Sequence, residues 1–339
     1  VAGAGAQVEI NDTKITNVDN LNGQIFGAIT VWSSAAGATV SVSGGEIVVA
    51  DDSHKAIVFP ADATVTGVDD VKYIVATIGD GGYYTLQEAI NAAKAGQTIT
   101  LIRDITSKDI IVIDKAITLD GNGKTLTSTA TRAINVSGAN GVTIKNLTIN
   151  ASGERAINII QNATNVTIEN VTATAANYTV NVASSAPNAV VAIKNSTLNG
   201  LCTVNVSAAG ANVTVDNSTI NCNDNNTTVG EAYAALSLNK EAIGGSIVAT
   251  NTTVNVTAGS DSHKGRNGAE NGTVIINGST EGVVVMVAYI TYPGSNYYHA
   301  FASLQAAIEF AKAGDTITLL RDITSSEIIT IDKAITLDG

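Results

Sequence analysis

Thr85–Gly121 and Ser303–Gly339 are almost the same sequence: 28 of 37 positions are identical at an offset of 218. A chain that repeats itself at long range is built of stacked or tandem units, and this limits the folds open to it more than any single motif. The echo extends beyond the pair. Val1–Ile15 resembles Val206–Ile220, and Asp52–Lys55 returns as Asp261–Lys264. The chain therefore reads as the tail of one unit (residues 1–82), one whole unit (83–296) and the head of a third (297–339). It starts and stops inside units, so the expected setting is a longer polypeptide, or copies docked head to tail.

A shorter period runs inside the unit. Asparagines recur at Asn122, Asn146, Asn170, Asn195, Asn217, Asn251 and Asn277, at steps of 24, 24, 25, 22, 34 and 26. Segments of the type Val142–Ile149 (VTIKNLTI) and Val166–Ala173 (VTIENVTA) surround them. Apolar and polar residues alternate before each asparagine, which is the strand signal. A strand every 24 or so residues, with no helix between strands, cannot form βαβ units. It fits an all-β, right-handed parallel β-helix with about three strands per coil. The seven asparagines then form a structural ladder of stacked amides, and Asn170→Ala is expected to cost about 1–3 kcal/mol. One helix is expected in each unit. Thr85 and Glu88 make a capping box, and an apolar stripe from Leu86 to Ala93 predicts a helix over 85–95. Ser303 starts its counterpart, in which Ala306 replaces the glutamate. Such helices suit the open end of a solenoid.

Few aromatics (4%) and few charges (14%) fit strands and tight turns. A net charge of −12 argues against nucleic acid and anionic lipid as partners. The most apolar run, Val283–Ala288, is far too short to span a bilayer.

The order of helix LQEAINAAKAG, TITLIRDI, then Ala116–Leu126 (AITLDGNGKTL) and VTIKN-type coils resembles the pectate-lyase-like right-handed β-helix superfamily. Within it the chain is most similar to repetitive secreted and cell-surface β-helix proteins. The resemblance covers Leu86 to about Asn277. It implies an extracellular or cell-surface location and admits polysaccharide lyases and hydrolases.

Such enzymes need acids held close together on adjacent coils. The candidates are Asp104, Asp120, Glu154, Glu169 and Asp216. Glu169 falls one coil from Lys145 and one from Lys194, and alternating charge of that kind suits a solvated face. Arg132 and Arg155, 23 apart, would stack beside Glu154 and hold an acidic sugar, or else serve only solubility. His54 and His263 are a unit apart and His299 is alone, so no metal site and no cofactor is expected. Cys202 and Cys222 lie about one coil apart, as a disulfide or, slightly favoured, as free thiols. Asn-x-Ser/Thr sequons abound, and Asn177 and Asn271 are the best glycan acceptors. The tyrosines cluster at the unit junction, where packing explains them better than ligand stacking. An ice-binding face would need threonines in one register over many coils, which the sequence does not display. The expectation is thus a non-enzymatic rod or stalk segment of an adhesin or filament. Its partners would be its own copies and surface glycans, and a polysaccharide lyase, hydrolase or binding module is the alternative.

Overall fold

The computed structural model describes residues 1–17, 27–32, 34–43, 46–49, 55–58, 63–66, 74–223, 234–257, 263–291, 298–326 and 328–339. His54 lies outside them. The chain divides into two compact units, residues 1–93 with 98–105, and 94–97 with 106–339.

The first unit opens on parallel pairs. Gln7–Asn11, Thr39–Ser43 and Thr64–Thr66 stack in that order, and Lys14–Asn17 pairs with Glu46–Val49. Its core is small and aliphatic, centred on Ile29, Val31, Ala35, Ala38, Val40 and Val42. Antiparallel strands Ala76–Ile78, Gly81–Tyr83 and Thr98–Leu101 follow. On them packs helix α1 (Leu86–Ala92), which buries Leu86, Ala89 and Ile90. Its capping box is formed, with Thr85 Oγ1 accepting from the Glu88 N–H and the Glu88 carboxylate accepting from the Thr85 N–H. The helix stops at Ala93, short of the expected end, because Ala93 already adopts extended backbone.

The second unit is a right-handed parallel β-helix with three strands in each full coil, as the period requires. The first face stacks Thr118–Asp120, the start of Thr143–Ala151, the start of Val166–Thr174, Val190–Lys194, Asn212–Asp216, Ser246–Thr250 and Thr273–Ile276. The second face stacks Thr125–Ser128, the ends of the two long strands, Thr197–Gly200, Thr219–Cys222 and Thr253–Val256. The third runs from Ile111–Ile113 through Arg132–Ser137, Arg155–Ile160, Tyr178–Val182, Val204–Val206, Ala234–Leu238 and His263–Asn267 to Val283–Val285. Each face points one row of Ile, Leu, Val or Ala inward. Leu119, Ile144, Ile168, Ile193 and Val215 stand in one register on the first face, all fully buried.

Corners between the first and second faces are sharp. All seven expected ladder asparagines occupy them with φ between +45° and +53°. Left-handed backbone is costly for most residues, and asparagine tolerates it because its short amide bonds locally. Gly121 precedes one such corner. A Cβ there would lie 2.5 Å from the Asn146 carbonyl oxygen, so only glycine lets the coils approach.

Past the last coil the chain turns antiparallel. Ala288–Thr291 pairs with Tyr298–Phe301 and with Thr316–Leu319. Helix α2 (Leu304–Phe310) buries Leu304, Ala307 and Ile308 against this sheet. Arg321 donates to the Ala269 carbonyl at 3.0 Å, and Lys240 lies over the rings of Tyr289 and Tyr298. These contacts tie the cap to the coil and place Tyr289 and Tyr298 in packing.

Candidate functional site

Residues one coil apart become neighbours at a rung spacing of about 4.8 Å. On the first face this makes the column Asp120, Lys145, Glu169, Lys194, Asp216. Lys145 Nζ meets Asp120 Oδ2 at 3.2 Å. Asp120 Oδ1 accepts from Asn146 Nδ2 at 3.0 Å and from the Asn122 N–H at 2.9 Å. Partial burial pushes the Asp120 carboxyl up. The bonds from Asn146, Asn122 and Lys145 outweigh burial and hold its pKa below the ordinary 3.8.

Directly beside this column, at the corners, lies a groove of about 360 Å³. Asn122, Gly123, Asn146, Leu147, Thr148, Asn170 and Thr172 line it. Its lining is uncharged and mostly polar, and the first-face column Asp120, Lys145 and Glu169 precedes these corners in the chain, with Asp120 bonded to the groove residues Asn122 and Asn146. Glu169 immediately precedes the groove residue Asn170. Two rungs separate Asp120 from Glu169, or about 9.6 Å between strands.

The corner asparagines do bond across rungs. Asn170 Nδ2 donates to Asn146 Oδ1 at 2.8 Å, Asn217 to Asn195 at 2.7 Å, and Asn251 to Asp216 at 3.2 Å. Asn277 takes another route, bonding the backbone of Thr252 in both directions. Most of these corners are solvent-exposed, so burial is not what places asparagine there; the positive φ is.

Two further columns escaped the sequence reading. On the third face Asn135, Asn158, Asn181 and Asn205 stack in register, with amide bonds of 2.9, 2.7 and 2.8 Å. The last three are 2–4% exposed, so this is the buried ladder. Its signal was present in the repeated words AINV, AINI, TVNV and TVNV, which place a polar residue amid buried neighbours. On the second face Thr125, Thr148, Thr172, Thr197, Thr219 and Thr253 form one column over six rungs. The premise that threonines lose register is therefore corrected. Five of the six follow a corner asparagine by two positions. The corner plus the column thus produces the Asn-x-Thr pattern that reads as sequons.

Among the remaining candidates, Arg132, Arg155 and Tyr178 stand on successive rungs of the third face. The Arg155 guanidinium lies 5.5 Å from the Tyr178 ring centre and 4.0 Å from Glu154. Burial lowers the Arg155 pKa, and Arg132 pushes it the same way. Cys202 and Cys222 are buried and not joined by a disulfide, with burial raising the Cys202 pKa to about 11. Asn177 is half-buried and Asn271 exposed. His299 packs against Phe310, and Asp104 belongs to the first unit. Among the described residues no group of three His, Cys, Asp or Glu could hold a metal, and no helix is long and apolar enough to cross a membrane.

These features define a right-handed parallel β-helix. No family model and no curated protein matches the sequence. Among solved structures the chain is similar to endopolygalacturonase I from Stereum purpureum complexed with two galacturonate. Identity is 16%, the alignment covers 84% of this chain and 94% of that chain, and the TM-score is 0.27. The likeness concerns the coil. The expectation of a non-enzymatic rod or stalk rested on repetition, and it is corrected on that ground. The physical reason is plain. Coil repetition follows from strand stacking, so it frames an enzyme as readily as a spacer.

Proposed function

We propose that the second unit is a secreted carbohydrate-active β-helix that binds a polysaccharide along the corner groove and hydrolyses it there. The observation that carries this reading is the pair Asp120 and Glu169, two rungs apart in the column next to an asparagine- and threonine-lined groove. Hydrolysis with inversion needs two carboxyl groups about 6.5–9.5 Å apart, with room for a water between. Two rungs give a strand separation of about 9.6 Å, at the upper edge of that range. Asp120, with its lowered pKa, stays ionised and acts as the base towards water. Glu169 donates the proton to the leaving oxygen. Lys145, between them, holds Asp120 and balances its charge.

The test is release of reducing ends from a panel of neutral and uronic-acid polymers. Asp120→Asn and Glu169→Gln should each abolish release while circular dichroism shows the fold intact. One observation favours a second reading, binding without cleavage. Lys145 already pairs Asp120 at 3.2 Å, as in a static surface column. Polymer binding with no product from any substrate would decide for that second reading.

A further inference from the structure

The threonine column on the second face is longer than the groove it borders. Thr148 and Thr172 line the groove, and the same register continues through Thr197 and Thr219 to Thr253. Two residues further along each strand, a parallel column runs through Asn199, Asn221 and Asn255. Both columns face outward and carry no charge. The amides of the second column are turned along the stack, with Asn221 Nδ2 on Asn199 Oδ1 at 2.7 Å and Asn255 Nδ2 on Asn221 Oδ1 at 2.8 Å. That bonding fixes the side chains before any ligand arrives, so little rotamer freedom is left to lose on binding.

We infer that this double column is a track for a neutral, extended glycan lying along the coil, one sugar residue to a rung. The inference rests on the carbohydrate reading above and names its substrate class. Three observations support it. The rung repeat, about 4.8 Å, is close to the advance of one pyranose in an extended β-linked chain. The rungs of Thr197, Thr219 and Thr253 offer the same hydroxyl, methyl and amide set, and the rungs before them continue the second column as Thr127, Asn150 and Thr174, which suits a polymer whose residues are identical. No cation stands in either column to recognise an acidic sugar, since Lys145 and Lys194 belong to the first face. The track has no aromatic ring, so each rung contributes little. Affinity must accumulate over successive rungs, as it does for linked weak sites.

The experiment uses the full chain and affinity electrophoresis or calorimetry. The probes are β-linked glucan and xylan oligomers from disaccharide to octasaccharide, with polygalacturonate as the acidic comparison. Affinity should rise with each added sugar and level off near the hexasaccharide, the length of the column, and polygalacturonate should not compete. Thr172→Val with Thr197→Val keeps the side-chain shape and removes two central hydroxyls. The pair should weaken hexasaccharide binding on the order of tenfold with unchanged circular dichroism. Thr197→Arg, which sets a long side chain across the track, should abolish binding and keeps the test decisive should the valine pair unfold. Affinity independent of length, competition by polygalacturonate, or wild-type binding by a folded Thr197→Arg would overturn the track. Retention in growing ice without glycan binding would assign the column to crystalline water and also overturn it. The hydrolase reading fails separately: binding without reducing-end release removes hydrolysis and leaves the track. Cleavage of polygalacturonate alone does the reverse.

Discussion

Replacing Asn181 by alanine tests the buried ladder directly. Asn181 is 4% exposed, donates to Asn158 Oδ1 at 2.7 Å and accepts from Asn205 Nδ2 at 2.8 Å. Alanine removes both bonds and leaves an acceptor on one rung and a donor on the next, each shut away from water. A buried polar group without a partner costs about 1–3 kcal/mol, so the two together cost about 2–6 kcal/mol. Asn170→Gly is the control. It also removes a ladder amide, but at an exposed corner where glycine accepts the positive φ of +53°. Its cost should stay below about 1 kcal/mol. Urea unfolding of the full chain, followed by circular dichroism, measures both. Amide exchange in Arg155–Ile160 and Val204–Val206 shows whether the loss is local, as neighbour-coupled coils require. An Asn181→Ala protein within about 0.5 kcal/mol of wild type would refute the argument, as would one no weaker than Asn170→Gly.

Gly121→Ala should destabilise by about 1–3 kcal/mol or more, since its Cβ would sit 2.5 Å from the Asn146 carbonyl oxygen and 2.6 Å from Leu147 Cβ; a melting curve like wild type would contradict this. Thr85→Ala removes one half of the α1 capping box and should cost about 1 kcal/mol, read from thermal unfolding. The depressed Asp120 carboxyl contributes stability that is present above its ordinary pKa of 3.8 and lost as pH falls through its lower folded value. Acid titration of Asp120→Asn should therefore show a shallower loss in that window, and an identical acid profile counts against the Asp120 network. Cys202 and Cys222 should resist iodoacetamide in the native protein and react once it is unfolded; an intact mass two protons low under non-reducing conditions would show a disulfide instead.

The coil was legible because its period is written twice in each rung. Val142 and Ile144 recur as Val166 and Ile168, and the asparagine that follows marks each corner. The reason for those asparagines was not legible. Their spacing suggested buried amides, whereas the dihedrals show a left-handed corner that few side chains tolerate. The truly buried ladder hid inside strands, where Asn158 and Asn181 look like the polar half of an alternating pattern. Burial of both neighbours becomes visible only once the third face is folded inward. The threonine column hid for another reason. Thr125 follows its asparagine by three residues and the other five follow by two, and the step from Asn217 to Asn251 is 34 residues. A linear reading therefore loses the register that hydrogen bonding restores, with Thr219 opposite Thr253. Asp120 and Glu169 were visible only as two of five candidate acids, with Glu169 assigned to a solvated face, and their setting next to a groove depends on corner geometry that no spacing states.

The amide chain on the third face has a direction. Each Nδ2 donates back to the rung before it, from Asn239 to Asn205, Asn181, Asn158 and Asn135 in turn. Side-chain dipoles aligned head to tail polarise one another and sum along the coil axis, much as peptide dipoles do in a helix. The carbonyl end of this chain is Asn239, and there Arg266 Nη2 donates to its Oδ1 at 2.7 Å. At the corners the shorter chain from Asn170 through Asn146 points its N–H end at the Asp120 carboxylate. A cation thus closes the oxygen end of the third-face chain, and an anion closes the N–H end of the corner chain. The solenoid is polarised along its length with few charges spent, and Asp120 sits at the pole where negative charge is most stable.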